Sequence, residues 1–138
     1  EQVLSRAEEK GVMVLIEPEP DLLIQTSDEF LGFMKDVSHP SLGLNFDIGH
    51  FYCVGEDPAR VVEKLCSHTR HYHLEDIPET KEHRHILPGT GGIDIAGVLE
   101  AVRQTGYKEY VTVELYPYLE DPGDAAIRAL DYIQGVLG

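Results

Sequence analysis

Four times along this chain a short apolar run is followed by a segment of helical periodicity, and no other feature narrows the fold as much. The runs are VMVLIE at 12–17, LGLNFD at 42–47, HYHLED at 71–76 and YVTVELY at 110–116. The first is almost continuously apolar, as expected of a strand covered on both faces. Helical segments follow over 21–36, from Asp57-Pro58 onward, over 94–105 and over 122–137. Asp57 and Asp94 stand where N-caps belong, Pro58 suits a first helical turn, and Gly106 stops the third helix. Strands that alternate with helices run parallel and are joined by right-handed crossovers, so the expected class is α/β. No GxGxxG follows a strand and no Walker-type lysine loop is present, which removes the main support for a nucleotide-binding open sheet. A (β/α) barrel is the better solution, and a complete one needs eight units over about 250 residues. Four units are half of it.

The polar residues of these units fall into a pattern. Each strand delivers a metal-capable side chain at or near its C-terminal end: Glu17 in VLIEPEP, Asp47 in LNFDIGH, His73 in HYHLED and Glu114 in VTVELY. In a barrel those ends converge on one face, so the four could meet around one ion. Three carboxylates and one imidazole favour Mn²⁺ or Mg²⁺, and Zn²⁺ or Co²⁺ would also fit. Glu17 and Glu114 each close an apolar run, where an unpaired carboxylate costs several kcal/mol. Behind this set stand His50, three residues after Asp47, and the loop histidines His83 and His85. Residues two apart in an extended segment point to opposite sides, so only one of His83 and His85 is expected to face the site. Glu75, Asp76 or Glu82 is expected to take the second ring nitrogen of a ligating histidine. His39 and His68 precede strands and belong to the far end of a barrel, while His71 alternates with His73 and either packs inside or donates a hydrogen bond. Tyr116 and Tyr118 wall a pocket or pack at its rim.

Composition sets limits on partners. A formal charge of −14 over 138 residues disfavours nucleic acid, whose phosphates are neutralised by Lys and Arg. The length and the 42% hydrophobic content suit one domain over residues 1–138. No apolar run approaches the roughly 20 residues that cross a bilayer, and no secretory signal opens the chain, so a cytoplasmic protein without membrane contact is expected. Cys53 and Cys66 form no CxxC pair and read as reduced thiols. The helix-like opening EQVLSRAEEKG without an initiator Met reads as part of a longer protein.

The series VLIEPEP, NFDIGHF, HYHLED, HRHILPGTGGID and VTVELY resembles the C-terminal half of the xylose isomerase-like barrel superfamily, the sugar phosphate isomerase/epimerase and endonuclease IV group. The resemblance covers nearly the whole chain. It implies a metal held by Glu17, Asp47, His73 and Glu114, with Glu17 and Glu114 also acting as the acid/base pair and His50 holding substrate. The implied function is a divalent-metal-dependent isomerase or epimerase of a sugar or sugar phosphate, working by proton transfer through an ene-diolate. The implied partners are a small-molecule sugar and either the N-terminal half of the barrel or a second copy of the chain. Endonuclease IV shares the metal set and has an Asp-Arg-His loop before Gly-Glu-Gly. Here His83-Arg84-His85 and Gly89-Thr90-Gly91 occupy that place, with His83 for Asp and Thr90 for Glu. A zinc phosphodiesterase, in which His50, His83 and His85 hold a second metal, is the first alternative. A half-barrel without catalysis is the other.

Overall fold

Parallel pairing dominates the structure, a computed structural model that describes residues 2–138. Helix α1 (Gln2–Lys10) leads into β1 (Val14–Ile16), followed by α2 (Ser27–Asp36), β2 (Leu42–Asp47), α3 (Ile48–Cys53) and α4 (Pro58–Leu65). The chain continues through β3 (Thr69–Leu74), α5 (Ile95–Gln104), β4 (Val111–Val113) and α6 (Pro122–Leu137). The four strands form one sheet in the order β1-β2-β3-β4, every pair parallel. Strand order that follows chain order, with helical crossovers, is half of a barrel wall. Glu1, counted in the opening helix on sequence grounds, lies outside the described residues.

Alternation along the central strands separates two faces. Leu44, Phe46, Tyr72 and Leu74 pack with Phe30, Phe51, Val62 and Val98 of the helices in the main core. Phe46 sits at the middle of it, its ring 4.6 Å from Phe51 and 5.2 Å from Tyr72. Asn45, Asp47, His71 and His73 alternate onto the opposite, concave face. There Thr112 Oγ1 lies 2.8 Å from His71 Nε2, so His71 is tied to the neighbouring strand.

Several element ends differ from the sequence expectation, each for a local reason. The helix expected over 21–36 begins at Ser27, because Thr26 and Glu29 form a reciprocal capping box and Asp21 takes a positive φ of 65°. The first ladder begins at Val14, because the Val12 N–H donates to Ala7 O of α1. The third strand is shifted to Thr69–Leu74, since Leu44 N–H already reaches His68 O and Asp76 leaves to form an antiparallel bridge with Ile86. Helix α3 follows β2 directly, and Asp47 caps it by accepting the His50 N–H at 2.8 Å. Asp57 and Asp94 cap α4 and α5.

The outer strands are short and their flanks are bare. Val12, Met13 and Tyr110 are exposed beside β1 and β4, and Ile127 and Leu130 are exposed on α6. Both cysteines are free. Among the described residues no helix is long and apolar enough to cross a membrane.

Candidate metal centre

Four strand ends bring their side chains together. Glu17 follows β1 directly, Asp47 closes β2, His73 is the next-to-last residue of β3, and Glu114 follows β4. Asp47 is paired with His73 and His73 with Thr112, which puts neighbouring donors at one height. His73 Nδ1 lies 3.0 Å from Glu17 Oε1, 3.1 Å from Glu114 Oε2 and 3.9 Å from Asp47 Oδ2. One donor atom from each of the four falls within 4.8 Å of the others. Asp47 is fully buried, and its Oδ2 has no hydrogen-bond partner.

Electrostatics follow from this crowding. Burial, with the charges of Glu17 and Glu114, pushes Asp47 up to about 7. Burial would also raise Glu17, but the His73 ring outweighs it and holds Glu17 below its usual range. The Glu17 contact raises His73 in turn.

His50, His83 and His85 form a second group, again with donor atoms within 4.8 Å. Ring centroids are 4.7 Å apart for His50 and His83 and 5.6 Å for His83 and His85. Both loop histidines therefore face the site, against the expectation that only one would. The loop is not extended. It is folded around Asp76, whose carboxylate accepts the N–H groups of Ile77 (2.9 Å), Gly89 (3.0 Å), Gly91 (2.8 Å) and Ile93 (3.1 Å). His50 Nδ1 is 2.9 Å from Pro18 O and His85 Nδ1 is 3.2 Å from Glu114 O. A carbonyl can only accept, so each Nδ1 carries the proton and each Nε2 keeps its lone pair. Main-chain carbonyls thus do what was expected of Glu75, Asp76 or Glu82. Burial lowers His50 to about 4 and lowers His85, so both stay neutral near pH 7. Tyr116 stands 4.7 Å from the His85 ring and lines the same cavity with Glu19, whereas the Tyr118 hydroxyl accepts the Leu87 N–H and braces the rim.

Glu75 is the residue that sequence reasoning underused. It is fully buried, its Oε1 accepts the Gly49 N–H, and its Oε2 has no partner. It also stands two residues after His73, and that alternation could have placed it on the concave face.

The fit to a cation can be tested on the orphaned atoms. Among the described residues, the buried side-chain polar atoms without a hydrogen-bond partner are Glu17 Oε1, Asn45 Oδ1, Asp47 Oδ2, Glu75 Oε2, His83 Nε2 and His85 Nε2, all on this face. Such atoms are costly unless something satisfies them. Carboxylate oxygens and lone-pair nitrogens are what a divalent cation needs. The residues fit one.

Four parallel strands with a ligand-rich rim at their C-terminal ends define the class: half of a (β/α) barrel. The chain belongs to the xylose isomerase-like TIM barrel family, whose profile matches residues 1–135. It is 29% identical over 150 residues to the inosose dehydratase of Geobacillus thermodenitrificans (strain NG80-2), covering 96% of this chain and 50% of that one. A D-tagatose 3-epimerase-like protein superposes with a TM-score of 0.84 at 26% identity, over 99% of this chain and 51% of the other. The IOLI protein, solved with a bound zinc atom, shares the fold at 22% identity with a TM-score of 0.77, over 98% of this chain and 52% of the other. The chain spans about half the length of the curated relatives it matches.

Proposed function

We propose that this chain carries the metal-binding and proton-transferring half of a divalent-metal-dependent isomerase or epimerase acting on a sugar, a sugar phosphate or a related hydroxy-ketone. The observation that supports this best is the placement of Glu17 and Glu114. They come from the two outermost strands and approach His73 Nδ1 at 3.0 and 3.1 Å. Glu17, Asp47, His73 and Glu114 would hold the ion, with Mn²⁺ or Mg²⁺ favoured by three carboxylates and one imidazole and Zn²⁺ or Co²⁺ also accommodated. When bound, the ion polarises a carbonyl and its neighbouring hydroxyl. One glutamate takes the proton from the carbon beside the carbonyl, giving an ene-diolate, and the other returns a proton from the opposite side. His50, His83 and His85 offer ring nitrogens to substrate hydroxyls.

Dehydration of the same kind of substrate is the second reading, favoured by the likeness to inosose dehydratases. It begins with the same proton abstraction and ends with the neighbouring hydroxyl leaving as water, its proton supplied by the second glutamate. A phosphodiester substrate is disfavoured by the charge of −14. We further propose that the bare flanks of β1 and β4 receive the other half of a barrel, either an N-terminal half or a second copy.

The test is incubation of the Mn²⁺-loaded protein with ketoses and inososes in D₂O. Deuterium entering at the carbon next to the carbonyl supports the reading, and an absorbing enone identifies dehydration. Absence of both with every compound, at full metal occupancy, refutes it.

A further inference from the structure

One ion at Glu17, Asp47, His73 and Glu114 leaves Glu75 unexplained. This carboxylate is fully buried beside fully buried Asp47, and Glu75 Oε2 and Asp47 Oδ2 both lack a donor. Among the described residues, no lysine or arginine makes a hydrogen bond or ion pair to either. The approach is built into the backbone: a Cβ on Gly49 would collide with Glu75 Oε1 and Ile77, so glycine there admits the carboxylate.

The donors around Glu75 have a recognisable composition. One atom each from Asp47, Glu75, His85 and Glu114 lies within 4.8 Å of the others, and His85 is 2% exposed. Asp47 and Glu114 also belong to the first set, and the unpartnered atom of His85 is Nε2. The two sets therefore share two carboxylates, with Glu17 and His73 completing one and Glu75 and His85 the other.

We infer that Asp47, Glu75, His85 and Glu114 form a second divalent-cation position, with Asp47 and Glu114 bridging it to the first. This rests on the first position proposed above. Ions bridged in this way sit about 3.5–4 Å apart and can hold both oxygens of a hydroxy-carbonyl group. The donor set, three carboxylates and an imidazole, again suits Mn²⁺ or Mg²⁺.

The experiment is a Mn²⁺ titration of chelator-stripped protein, read by calorimetry and by electron paramagnetic resonance. The wild type should bind two ions per chain and show a spin-coupled pair, while Glu75→Gln and Glu17→Gln should each bind one and show only the uncoupled spectrum. Glutamine nearly matches the shape of Glu75 and can donate to Asp47, so an unchanged thermal melt of metal-free Glu75→Gln shows that it folds. One ion in the wild type, lost in Glu17→Gln but kept in Glu75→Gln, would overturn the second position and leave the first intact. No ion in the wild type would overturn both. Two ions in the wild type and in Glu75→Gln, with one in His83→Ala, would move the second ion to the three histidines and also overturn the assignment.

Discussion

Gly91 donates its N–H to Asp76 Oδ2 at 2.8 Å, and a Cβ at Gly91 would strike the same carboxylate. Asp76 holds three more N–H groups, from Ile77, Gly89 and Ile93, and so sets the path that brings His83 and His85 together. Asp76→Ala should destabilise the protein by about 3–5 kcal/mol, since buried donors left alone cost about 1–3 kcal/mol each and not all can reach water. Urea unfolding measures this. A loss below about 1 kcal/mol would show that the loop does not depend on Asp76.

Asp47 has two tasks that one substitution can separate. Its Oδ1 caps α3 through the His50 N–H, and its Oδ2 is a free donor atom. Asp47→Asn keeps a cap of nearly equal quality and loses the charge. The variant should fold with a thermal midpoint close to wild type and retain almost no Mn²⁺ by elemental analysis. Full metal content in Asp47→Asn would remove Asp47 from the centre.

Metal affinity should depend steeply on pH. Asp47 is raised to about 7 by burial, so below that pH a proton occupies the oxygen that an ion needs, and the Glu17 contact raises His73, which must also lose a proton to bind an ion. Glu17 is lowered and His50 is lowered to about 4, so neither adds a competing proton near neutrality. The sign is set by competition. Affinity for Mn²⁺ should fall by about tenfold per pH unit below about 7, from the Asp47 proton alone, and level off at higher pH. Calorimetry in buffers of different ionisation enthalpy would register the released protons; a flat profile from pH 5 to 8 would show that the site is already deprotonated.

The exposed apolar residues beside the outer strands predict assembly. If two copies of this 15.4 kDa chain close a barrel, sedimentation should show a species of twice that mass. Ile127→Lys with Leu130→Lys should disperse it, because both side chains are exposed on α6. A wild type that stays monomeric at high concentration would leave a separate N-terminal half as the only candidate for closure.

Much of this fold could be read from alternation. The four apolar runs each became a strand, and the residues that end them, Glu17, Asp47, His73 and Glu114, lie at one end of the sheet because parallel strands share a direction. What escaped depended on contacts between distant segments. The N–H that Asp47 caps belongs to a helix too short for periodicity to reveal. The convergence of His83 and His85 follows from one carboxylate and the glycines around it, where a local reading sees only an extended HxH. Glu75 was weighed only as a partner for a histidine, since the strand was taken to run through 76 and its orphaned oxygen is visible only in three dimensions.

The two glutamates nearest His73 stand on the two strands with an open side. An ion held by both would tie together parts of the sheet that no backbone ladder joins. Metal binding and barrel closure are then thermodynamically linked, each favouring the other by the same free energy. Every tenfold preference of the ion for the closed arrangement strengthens closure by about 1.4 kcal/mol. Whatever segment completes the barrel would therefore also set how far Glu17 stands from Glu114.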